Sequence, residues 1–102
     1  PWALAIKGGL AFASLQTGDD QGAIAHANEG LETSADYATL HRVLAAAHAL
    51  SGDMDAAQVA LRAALAADPQ DSIRAIRERN LFADYDAGNR YLEGLRLAGM
   101  PE

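Results

Sequence analysis

The sequence predicts an all-α fold built from antiparallel helix pairs. Three observations carry that prediction. Apolar residues recur at spacings of three and four, as along one face of a helix. Gly-Asp pairs at 18–19 and 52–53 punctuate the pattern, with a proline at 69. Shifting the chain by 34 residues superposes the first Gly-Asp pair on the second. Half of the 102 residues are apolar, alanine dominates, and long β-branched runs are missing.

The first helix is expected from about Trp2 to Gln16, with Trp2, Ile6, Leu10 and Ala13 along one face and Phe12 on another. Gly8-Gly9 inside it costs on the order of 2 kcal/mol against alanine. Glycines so placed mark either close helix contact or a frayed first helix. Gly18 turns the chain. A second helix is expected from about Asp20 to Glu32, ended by Thr33-Ser34. The third, Tyr37 to Leu50, carries Leu40, Val43, Leu44, Ala47 and Leu50 on one stripe. Gly52 suits the left-handed conformation that ends a helix, and the Asp53 carboxylate suits the cap of the next. The fourth, Met54 to Ala67, has Met54, Ala57, Val59, Leu61, Ala64 and Leu65 in register before Asp68-Pro69 stops it. Its many alanines let helix backbones approach closely. Ser72 to Asn80 reads as a short fifth helix that buries Ile73 and Ile76. After a break at 80–83, Asp84 caps a last helix from Tyr85 to about Ala98, with Tyr91, Leu92, Leu95 and Ala98 on its apolar side. Gly99 stands where a terminating glycine belongs, and Pro101 follows.

The 34-residue shift aligns Gly52 with Gly18, Asp53 with Asp19, Leu44 with Leu10, Ala45 with Ala11, Ala47 with Ala13, Ala57 with Ala23 and Leu65 with Leu31. Leu44-Ala45, His48, Gly52, Ala57, Leu61, Ala64 and Pro69 occupy the positions of the tetratricopeptide pattern, whose period is a 34-residue helix-turn-helix. Residues 2–71 therefore resemble two tetratricopeptide repeats, at about 4–37 and 38–71, followed by a capping pair at 72–102. Repeat stacks need such caps for solubility. The departures are His41 where that family favours Trp, His48 where it favours Tyr, Leu61 where it favours an aromatic, and Ala35 in place of the first closing proline.

The tail carries a second resemblance. Arg74 to Asn80, Leu81-Phe82-Ala83-Asp84 and the run Tyr91-Leu92-Glu93-Gly94-Leu95-Arg96-Leu97-Ala98-Gly99-Met100-Pro101-Glu102 are similar to the carboxyl-terminal end of bacterial class III adenylate or guanylate cyclases. In those proteins tetratricopeptide-like repeats follow a catalytic domain. Related endings also follow other amino-terminal domains, such as those of winged-helix regulators. The catalytic domain has no counterpart here, so no metal-binding aspartates or nucleotide contacts are transferred.

Composition narrows the function classes. The net charge is −6, all of it in residues 1–72, where Lys7, Arg42 and Arg62 face nine acids. Phosphate backbones require clustered cations, so no nucleic-acid partner is expected. No run of about 20 apolar residues exists to span a membrane. No secretory signal pattern opens the chain. Pro1 in place of a start methionine reads as an excised fragment of a larger, cytoplasmic protein. Without cysteine there are no disulfides or thiolate metal sites.

Little in the sequence bears catalytic chemistry. His41 and His48 share a helix face, and two imidazoles with an acid could hold zinc. They stand at packing positions of the repeat, however, and packing is the expectation, with no metal or cofactor. Asp84 and Asp86 read as helix-start acids that complement the dipole. Ser14, Ser34, Ser51 and Ser72 lack a Gly-x-Ser-x-Gly setting, and the glycines form no phosphate loop. Arg74, Arg77 and Arg79 read as a solvated basic face or a contact for an acidic neighbouring domain.

The expectation is a non-catalytic interaction module. By resemblance, its concave groove would be lined by Ala5, Gly8, Phe12, Thr39, Arg42, Ala46 and Ala49, extended by Ile73 and Arg77. A shallow apolar groove of that kind suits a helix or an extended peptide. The resemblance implies a protein partner, the chain's own catalytic domain among the candidates. Self-pairing is the alternative, since such cyclases build their active sites across a dimer.

Overall fold

The computed structural model describes residues 2–79 and 90–102, with the backbone alone at 2–5 and 79. Among these residues the chain forms six helices: α1 Trp2–Gln16, α2 Asp20–Thr33, α3 Ala38–Leu50, α4 Met54–Ala67, α5 Ile73–Arg79 and α6 Arg90–Ala98. No strand occurs among the described residues, so the fold is all-α. Tyr37 and Ser72, expected inside α3 and α5, stand just ahead of them. The Tyr37 carbonyl accepts from Leu40 N, and Ser72 Oγ accepts from Ala75 N at 3.0 Å. The expected break at 80–83, the Asp84 cap and the start of the last helix at Tyr85–Asn89 lie outside the described residues, as does the Asp84–Asp86 pair.

The two hairpins repeat hydrogen bond for hydrogen bond. Gly18 and Gly52 take φ of +92° and +94°. Asp19 N donates to Ser14 O at 2.8 Å, and Asp53 N to His48 O at 2.8 Å. The Asp19 carboxylate accepts from Gly22 N at 2.9 Å, and that of Asp53 from Ala56 N at 3.2 Å. Each carboxylate satisfies one of the donors that a helix start leaves unpaired. A Cβ at Gly52 would meet nothing within 4 Å, so only its backbone conformation resists a side chain. Gly52→Ala is expected to lower the urea unfolding free energy by about 1–2 kcal/mol, the cost of left-handed backbone for an L-residue. Gly52→Asn should lose less.

The central helix is α3, which packs against α1, α2, α4 and α6. It can have so many neighbours because it is narrow: Ala45, Ala46, Ala47 and Ala49 are all buried. The facing side of α2 is equally small at Ala23, Ala27 and Gly30. Leu15, Leu40, Val43, Ile73, Leu92 and Leu95 supply the bulk. Each such side chain contributes about 1.5–3 kcal/mol by leaving water.

The last segment closes the molecule. Gly99, at φ +102°, ends α6, and Met100 N donates back to Leu95 O at 3.0 Å. The tail then crosses the start of α5. Ile73 N donates to Pro101 O at 2.7 Å, and Arg74 N to Glu102 O at 3.0 Å. Among the described residues no helix is long and apolar enough to cross a membrane.

Candidate functional site

The face expected to be an open groove is covered by α6. Its start is fastened to the end of α1, where Arg90 Nε donates to the Leu15 carbonyl at 3.0 Å and Nη2 reaches both Asp20 oxygens at 2.8 and 3.0 Å. A cation there also complements the negative end of α1. Gln16 Oε1 accepts from Tyr91 N at 3.1 Å. Phe12 meets the Tyr91 ring edge-on, with centroids 5.2 Å apart. Gly94 lies directly on Ala46. Ala49 is buried.

Arg42 is likewise no groove cation. Its Nη1 donates to Asp71 Oδ2 at 2.8 Å, its Nε to the Tyr91 hydroxyl at 3.0 Å and its Nη2 to Thr39 Oγ1 at 3.0 Å. Arg42 and Asp71 are both buried. Gly8 is buried beside Tyr37 and Leu40, and Ile73 belongs to the core. Arg77 is exposed, and the side chain of Ala5 lies outside the described residues. In the basic patch, Arg74 pairs with Glu78 at 3.1 Å, while the Arg79 side chain is outside the described set.

Open apolar surface lies elsewhere. α2 and α4 straddle α3 and leave a hollow of about 510 Å³ between them. Asn28 and Leu31 come from α2, His41, Leu44 and His48 from α3, and Ala56, Val59, Ala60 and Ala63 from α4. The helical period sets this lining, since residues three, four and seven apart share a face. A second depression of about 600 Å³ continues it past His41 and Ala63 to Ala35, Asp36, Ala66 and Ala67. Together they form one groove with a carboxylate at one end. Val59, placed by the period on a buried stripe, is 59% exposed on its wall.

The groove's polar groups are few. His41 Nε2 lies 2.7 Å from the Ala35 carbonyl and donates to it. That bond uses one ring nitrogen and leaves Nδ1 as the acceptor. Among the described residues no cluster of three or more His, Cys, Asp or Glu is placed to hold a metal ion. The groove offers an apolar floor, the His48 and Asn28 side chains for hydrogen bonding, and Asp36 for a cation. Sequence reasoning took His41 and His48 as packing residues and did not bring them together with Leu31, Leu44 and Val59. That grouping depends on how α2 and α4 are spaced across α3, which periodicity does not encode.

No family model, curated protein or solved structure matches this chain.

Proposed function

We propose that this chain is a non-catalytic protein-interaction module, a tetratricopeptide-like stack of two hairpins with a C-terminal cap. Its groove between α2, α3 and α4 takes an apolar segment of a protein partner flanked by basic residues. The duplicated turn geometry at a spacing of 34 residues supports the repeat reading. The exposed apolar groove supports the binding reading and is the observation that carries it. Charge selects the partner: the net charge is −6 and Asp36 ends the groove, so a cationic flank is attracted and an acidic one repelled. The resemblance of the closing run Tyr91 to Glu102 supports reading the module as the end of a bacterial cytoplasmic signalling protein of the adenylate or guanylate cyclase kind. Its catalytic domain is then the nearest source of such a segment.

A displayed peptide library selected on the wild-type chain tests the binding reading. Enriched peptides should combine apolar residues with Lys or Arg. Val59→Glu should weaken them by roughly tenfold or more, because it puts an unpaired charge against the apolar contact. Leu97→Glu, on exposed α6 surface, should leave them unchanged. Failure to enrich any peptide, or equal binding by Val59→Glu, would refute the groove assignment.

A further inference from the structure

The groove has a direction. Asn28 and Leu31 lie ahead of Ala35 and Asp36, and Ala56, Val59 and Ala60 lie ahead of Ala66 and Ala67, so α2 and α4 both finish at the Asp36 end. The first turn of α3 lies there too, at His41, and its last turn, with His48, lies at the other. The Asp36 end therefore gathers two carbonyl ends of helices against one amide end, and carbonyl ends carry negative potential. In the last turn of α4, Pro69 has no N–H to return to the Leu65 carbonyl. The Ala35 carbonyl, just past α2, accepts from His41 Nε2 at 2.7 Å, so this end already holds one N–H donor. Asp36 is exposed, and no cation pairs with it among the described residues.

The same lining decides the occupant's backbone. The walls are helices, whose backbone N–H and C=O groups are bonded to one another. Apart from Asp36, the lining offers side-chain hydrogen bonds only at Asn28, His41 and His48. An extended segment would set unpaired amides and carbonyls against alanine, leucine and valine, which is unfavourable. A helix satisfies its own backbone and needs only an apolar stripe. His41 and His48 are two turns apart, so roughly 10 Å of helix spans the groove. Laid antiparallel to α2 and α4, such a helix brings its unpaired first-turn amides to their carbonyl ends. A basic residue just ahead of that turn then meets Asp36.

We propose that the occupant is an amphipathic α-helix running antiparallel to α2 and α4, with its basic residues ahead of its first turn and its apolar stripe on Leu31, Leu44 and Val59. This rests on the groove reading and adds the partner's conformation and polarity to it. Two synthetic peptides of equal composition, both with blocked ends, test it. One carries two lysines ahead of a leucine-alanine helix with leucines spaced three and four apart, and the other carries the lysines after it. In calorimetric titration of the wild-type chain the first should bind roughly threefold to tenfold more tightly. A proline in the middle of the first peptide should weaken it by roughly tenfold or more, because it breaks the helix. Asp36→Asn should reduce the preference between the two orders and leave the second peptide's affinity nearly unchanged. Val59→Glu separates this proposal from the reading beneath it. If Val59→Glu weakens both peptides but the wild type shows no preference for order, or tolerates the proline, the proposed conformation and polarity are overturned while the groove stands. Binding that ignores Val59→Glu, or no binding of either peptide, would overturn the groove reading and this proposal with it.

Discussion

Gly94→Ala is expected to destabilise the protein by about 2–3 kcal/mol, although alanine is the better helix former. A Cβ at Gly94 would come within 2.6 Å of the Ala46 carbonyl oxygen and 2.7 Å of Ala46 Cα. Both are backbone atoms of the buried central helix, so no side chain can swing aside. Overpacking of this kind costs about 1–3 kcal/mol or more, against a helix-propensity gain of at most about 1 kcal/mol. Gly9→Ala is the control, because its Cβ meets open space and should stabilise by roughly 0.5–1 kcal/mol. Urea unfolding of the two variants separates them by sign. If Gly94→Ala were neutral, α6 would not be seated on α3 at Ala46.

Asp71→Ala should cost about 3–5 kcal/mol, because it strands a buried guanidinium. The side chains of Arg42 and Asp71 are only 9% and 1% exposed and meet at 2.8 Å. Arg42 also binds Tyr91 and Thr39, so it joins α3, the α4–α5 link and α6 at one point. Replacing both charges, as in Arg42→Met with Asp71→Leu, should cost less than the sum of the single changes, since neither charge is then left unpaired. A double-mutant cycle in urea measures the difference. Additive costs would mean that the pair is solvated. Arg42→Lys should resemble a loss, because an ammonium cannot serve three acceptors from a planar fork.

The hairpins were legible in the sequence because their signals are local. Gly18-Asp19 and Gly52-Asp53 act within one turn, and the helices between them follow from spacing and caps. Gly99 belongs to the same class. The site was not legible, because it depends on which helix covers which face. Arg42, Ala46 and Ala49 fit an open groove as well as a closed one. Gly94 held the only hint: a glycine inside an amphipathic helix costs about 1 kcal/mol unless something approaches closely there. Ile6 and Leu10 have the period of buried residues, but among the described residues no helix covers them as α2 covers Leu40 and Leu44. Val59 shares that ambiguity, and its exposure creates the groove wall.

The most direct measurement of the central claim is a methyl NMR titration of the wild-type chain with a selected apolar-basic peptide. The account predicts shifts at Leu31, Leu44, Val59 and Ala63, with Ala46, Ala49 and Leu95 unmoved in the closed core. Shifts at Ala46, Ala49 and Leu95, with Val59 and Ala63 unmoved, would contradict it and place the binding surface under α6 instead.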